Sequence, residues 1–336
     1  GAINLSGNNT FTNNTSGQGA IYIGPGSTGS STLNITGTAK FTGNTNADIY
    51  IWGSTGTSYT IQANLYGNIT MATGINYNNS KLGKVYIGDG TNTATTTITG
   101  TGWIGSSTSG SAGYLYIQNK GTLDMSGTSG KLNVQTLSIA SGAVLKMGNG
   151  NIAATASSIS NSGSLYLYGS TLGSNINSSS SKTGTVYVSG SSKTVDNTSS
   201  KKYIYANIIE AQTGATLKSD GDYLQVASGF NVTGGTLNYF DGTTSGLKSR
   251  SVISMSSGSL SISNGTFTNN SASNDVVLSA TGGTATINGA LFKNNTSAGA
   301  HGVMNVSGSK VTVSNAKFFS NTANGGWASV IGVQNN

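Results

Sequence analysis

The sequence predicts an all-β chain wound as a single right-handed parallel β-helix, and three observations carry that reading. Apolar residues make up 35% of the 336 positions but fall in short alternating runs rich in Val, Ile, Tyr and Thr, the pattern of half-buried strands. Helix formers with charged side chains are nearly absent: charged residues are 7% of the chain, and the only glutamate is Glu210. A motif also recurs with a period of about 25 to 30 residues, the length of one β-solenoid coil.

The motif is apolar-x-apolar-x-Gly/Asn, then Phe, then Asn three residues after the Phe. It occurs as Ile3, Leu5, Gly7, Phe11, Asn14 and as Leu33, Ile35, Gly37, Phe41, Asn44. It returns as Leu260, Ile262, Asn264, Phe267, Asn270, then as Ala285, Ile287, Gly289, Phe292, Asn295, and last as Val311, Val313, Asn315, Phe318, Asn321. A single coil cannot bury its apolar face, so stacked coils must form a continuous core with strands about 4.8 Å apart. The Phe residues are expected to stack along one inner face. The repeated Asn is expected to tolerate left-handed turns and to bond its amide in a ladder along the axis. Residues 1–48 and 258–336 carry the motif. The stretch 49–257 uses looser coils, such as Gly121-Thr122-Leu123-Asp124-Met125, and nothing in composition marks a linker. All 336 residues read as one β-helix segment of a longer protein.

Phe11-Thr12-Asn13-Asn14 with Gly19-Ala20-Ile21, and Phe292-Lys293-Asn294-Asn295 with Gly302-Val303, resemble the repeats of chlamydial polymorphic outer-membrane proteins and related autotransporter adhesins. Ser141-Gly142-Ala143-Val144-Leu145 is similar to generic autotransporter passenger sequence. The resemblance implies a right-handed β-helix, export through an outer membrane, display on a bacterial surface and adhesion to a host-cell receptor or glycan, or self-association.

Composition narrows the chemistry. No cysteine and one histidine, His301, leave no ground for a thiolate or zinc site. Net charge is +7, but the lysines are dispersed and only Lys201 and Lys202 are adjacent, so no nucleic-acid footprint forms. No apolar run is long enough for a transmembrane helix. No cofactor, metal or catalytic residue is expected. The strongest rival class is a β-helical polysaccharide lyase or glycosidase, which needs clustered carboxylates. Of nine acidic residues only Asp220 and Asp222 lie close; on one strand they would face the same way, but Lys218-Ser219-Asp220-Gly221-Asp222 reads first as an Asp-Gly turn.

The candidate binding residues are aromatic. Apolar inward positions bracket outward tyrosines in many strands: Ile49 and Ile51 set Tyr50 and Trp52 outward, Leu115 and Ile117 do so for Tyr114 and Tyr116, and Leu165 and Leu167 for Tyr166 and Tyr168. Tyrosine offers apolar area and a hydroxyl with few rotamers to immobilise. The expectation is that Trp52, Tyr114, Tyr116, Tyr166 and Tyr168 share one exposed strip.

Overall fold

The computed structural model describes residues 1–25, 29–53, 59–78, 83–106, 113–240, 243–245, 247, 251–273, 277–299, 301–325 and 330–334. Its described residues are strands and turns, with one 3-10 turn at Gly221–Tyr223 and no helix long and apolar enough to cross a membrane. Successive coils pair through parallel strands, so the fold is a β-solenoid. Contacts group into two compact units, Gly1–Ile176 and Asn177–Asn336, and their boundary falls within the looser coils.

In the first unit the chain visits three sheets in rotation. The first sheet runs from Ala2–Leu5 to Ser160–Asn161, the second contains Asn8–Thr12 through Ser164–Leu167, and the third runs from Ile21–Ile23 to Thr171–Leu172. Alternation sends every second residue into the interior, and parallel register aligns those residues in columns. Leu33 pairs with Ala63, Ala63 with Val85, Val85 with Leu115 and Leu115 with Leu137, all fully buried. Each large aliphatic side chain so buried stabilises the fold by about 1.5–3 kcal/mol relative to exposure.

The second unit opens with paired short strands, Thr185–Val188 and Thr194–Asp196, which lie under Ile204–Gln212 and Thr216–Asp220. In the next coils the two short strands run together as Leu224–Phe240 and Ile253–Ser263, with a register irregularity between Val232 and Thr236. A four-stranded sheet, Thr243–Ser245 to Lys317–Phe319, carries the Phe positions.

The motif acts as expected and divides its labour more finely. Phe11 stacks on Phe41 at 4.7 Å in the first unit, and Phe267, Phe292 and Phe318 stack at 5.3 and 4.8 Å in the second. The Gly/Asn position is left-handed at Gly7, Asn264, Gly289 and Asn315. A second left-handed residue falls two after the Phe, at Asn13, Asn269 and Asn294. The following Asn is the ladder residue. The Asn270 amide donates to Asn295 Oδ1 at 3.0 Å, and Asn295 to Asn321 Oδ1 at 3.0 Å, 25 and 26 residues apart. Asn14 donates likewise to Asn44 Oδ1 across 30 residues. The turn role and the ladder role therefore sit on adjacent residues rather than on one.

Candidate binding surface

Outward positions of the first sheet form two columns. One reads Gln62, Lys84, Tyr114, Thr136; the other reads Asn34, Asn64, Tyr86, Tyr116, Ser138. The lower part is an amide ladder: Asn34 donates to Asn4 Oδ1 at 2.7 Å, Asn64 to Asn34 Oδ1 at 2.6 Å, and Gln62 to Asn64 Oδ1 at 2.6 Å. The upper part is aromatic. Tyr86 and Tyr116 stack across neighbouring strands at 5.0 Å, and Tyr114 lies parallel to Tyr116 at 6.3 Å. All three are half-buried. Behind them Tyr77, wholly buried on the third sheet, donates its hydroxyl to the Tyr114 carbonyl at 3.2 Å and so ties two sheets together.

Partial burial, then the neighbouring hydroxyls of Tyr86 and Tyr114, push the Tyr116 phenol above its ordinary pKa. Tyr66, just past the strand Ile61–Leu65, is raised by burial, then by Asp89 and Tyr86. It borders a groove of about 420 Å³ shared with Asp89, Asn92 and the backbones of Gly37 and Gly67. Hydrogen bonds from the backbone and side chain of Asn92 and the backbone of Thr91 hold the Asp89 carboxyl below the usual range. The surface thus offers neutral amides, phenols, the Lys84 ammonium and the ordered Asp89 carboxylate. The strand-based reading of the sequence missed Tyr66, which follows its strand directly in Leu65-Tyr66-Gly67.

The expected single strip does not form. Tyr114 and Tyr116 are on the first sheet. Tyr166 is on the second, in Ser164–Leu167, with Tyr168 just beyond the strand; their rings are 6.5 Å apart. Tyr166 pairs in register with Lys146, whose ammonium bonds Asp124 Oδ2 at 3.0 Å. Trp52, 38% exposed, ends Ile49–Trp52 on the third sheet. Alternation decides inward or outward; it does not decide which of three sheets an outward residue joins. Tyr50, in an outward position, is nevertheless buried: it stacks on Tyr22 at 6.0 Å and accepts a hydrogen bond from Asn78.

At the carboxylate pair the Asp-Gly turn expected from the sequence is present. Asp220 ends the strand Thr216–Asp220, while Asp222 lies in the 3-10 turn, so the two do not share a strand. Their side chains lie outside the described residues. His301 is half-buried, with its Nδ1 facing Gly332. Among the described residues no three His, Cys, Asp or Glu gather as metal ligands. No family model, no curated protein and no solved structure matches this chain.

Proposed function

We propose that the chain is a non-enzymatic attachment segment of a protein displayed on a bacterial surface, and that it holds a host-cell glycan against the first sheet of its first unit. The observation that carries this reading is the stacked group Tyr86, Tyr114 and Tyr116 beside the ladder Asn4, Asn34 and Asn64. Sugar rings present an apolar face and a rim of hydroxyls. Half-exposed phenols match the face, and amides and phenol hydroxyls match the rim. The parallel solenoid supports it by fixing these groups on a flat sheet, so little side-chain freedom is lost on binding.

The same stack also contributes to the sheet, at about 0.2–1 kcal/mol per cross-strand pair. The test therefore separates the two roles. Replacing Tyr86, Tyr114 and Tyr116 together by Ser is expected to keep the circular dichroism of the parent and to lower attachment to host cells and to glycan surfaces at least tenfold. Undiminished attachment by the folded triple variant would leave the stack with its packing role alone.

A further inference from the structure

A second site lies on the third sheet of the first unit. One outward column there reads Tyr50, Asn76, Gly105, Asn133, Ala153 in register. Elsewhere amides one coil apart join into ladders. Here Gly105 stands between Asn76 and Asn133, which are separated by two strand spacings, about 9.6 Å, beyond amide-to-amide contact. The side-chain oxygens of Asn76 and Asn133 are both buried and have no hydrogen-bond partner among the described residues. Buried acceptors without donors are rare in folded proteins and invite a donor from outside.

Asn133 also lines a cleft of about 420 Å³, with Trp103, Ser106, Ser129, Gly130 and Lys131. A Cβ on Gly130 would lie 1.8 Å from the Gly102 carbonyl oxygen, so successive coils meet there backbone to backbone with no side chain between them. Trp103 is half-buried, and the exposed Lys131 is the single charged residue among the described residues lining the cleft.

The geometry points to this cleft as a binding site for an acidic saccharide. The volume suits one or two sugar rings, within the range of about 300–1,000 Å³ for small-ligand sites. The Trp103 indole supplies an apolar face for a ring. Asn133 is half-buried and lines the cleft, so a rotation of its amide on binding brings the enclosed oxygen to sugar hydroxyls, and the exposed Ser129 hydroxyl can exchange hydrogen bonds with the rest. Lys131 pairs with a carboxylate on the sugar and disfavours a cation in the same place. The site is on a different sheet from Tyr86, Tyr114 and Tyr116, so either can be lost without the other.

Isothermal titration of the whole chain with a hyaluronan hexasaccharide, and with the same hexasaccharide methyl-esterified at its glucuronates, tests the assignment. The free acid is expected to bind at least tenfold more tightly than the ester. Lys131→Gln, at an exposed position that does not threaten folding, should erase that preference. Trp103→Ala should weaken both ligands at least tenfold. Y86S/Y114S/Y116S should bind the hexasaccharide as the parent does, even if it no longer attaches to cells. Failure of the parent to bind either ligand, equal affinity for acid and ester, or an acid preference that survives Lys131→Gln overturns the proposal. So does binding lost in the tyrosine variant and kept in Trp103→Ala, which assigns the saccharide to the first sheet. Should Trp103→Ala not fold, the Lys131→Gln result decides.

Discussion

Asp48 is a fully buried carboxylate whose contacts are all donors. Its Oδ1 accepts from the Asn44 amide at 2.9 Å, and its Oδ2 accepts from the backbone N–H groups of Thr73 and Gly74 at 2.7 and 2.8 Å. It accepts the Asn44 amide hydrogen that a ladder asparagine in the next coil would otherwise take, and so ends the ladder of Asn14 and Asn44. Asn295, the second unit's counterpart of Asn44, makes the contrasting case: its amide nitrogen donates to the Phe267 carbonyl and to Asn321 Oδ1, both at 3.0 Å. The two sites make opposite demands on nearly isosteric side chains. Asp48→Asn would turn an NH2 group toward donors, and Asn295→Asp would turn an oxygen toward acceptors. Each leaves buried polar groups unmatched, at about 1–3 kcal/mol. Urea midpoints of both variants should fall, and Asp48→Ala should fall at least as far as Asp48→Asn. An unchanged midpoint in Asp48→Asn would mean that its three hydrogen bonds contribute nothing net.

At the scale of the strand, the second sheet of the first unit places Gly121–Met125 beside Val144–Met147, and Asp124 pairs in register with Lys146. Burial pushes the Asp124 carboxyl up. Hydrogen bonds from the Ser126 side chain and backbone and from Lys146 outweigh it and leave the group below the usual carboxylate range. The hydrogen bond to Asp124 raises Lys146, against some desolvation. The Asp124 contribution is therefore present above the ordinary carboxylate pKa of about 3.9 and is lost as pH falls below it. Both side chains retain solvent contact, which limits the pair to about 1 kcal/mol or less, reduced further by salt. Asp124→Asn should cost that little at pH 7 in dilute buffer, and less as pH falls below the ordinary carboxylate range or as NaCl rises to 1 M, as read from thermal midpoints. The same strands show what the sequence could convey. Leu123 and Leu145 read as inward and are, because period-two alternation states the face directly. Tyr116 and Tyr166 read alike, each an outward tyrosine between apolar neighbours, yet they belong to different sheets. The difference lies in chain length between strands: coils advance by 30 residues from Asn4 to Asn34 but by 22 from Asp124 to Lys146. Ser/Gly-rich connections of variable length set that advance and leave no periodic signal, so the fold was legible while the grouping of the candidate residues was not. The orphaned amides beside Gly105 were hidden for the same reason, since only register brings Asn76 and Asn133 to either side of it.

Over the whole molecule the tyrosines set a shared response to alkali. Tyr22, Tyr66, Tyr116 and Tyr205 are each raised above the ordinary phenol value, by burial first and then by a neighbouring tyrosine hydroxyl or, for Tyr66, by Asp89 ahead of Tyr86. Tyr77, fully buried, is pushed up by burial and then by Tyr116. Below pH of about 10 these phenols are protonated in folded and unfolded chains alike, and they add no pH dependence. Above it the unfolded chain releases protons that the folded chain retains, so stability must fall as pH rises toward the folded values. For the buried Tyr77 that decline approaches about 1.4 kcal/mol per pH unit. Tyr77→Phe isolates the term. It removes the hydrogen bond to the Tyr114 carbonyl, which should cost about 1 kcal/mol at pH 7. It also removes one titrating group, so its stability should decline less steeply above pH 10 and its curve should converge on that of the parent. Urea denaturation of both proteins from pH 7 to 11.5 measures the two curves; parallel lines across the alkaline range would show that Tyr77 ionises as readily in the folded chain as in the unfolded one.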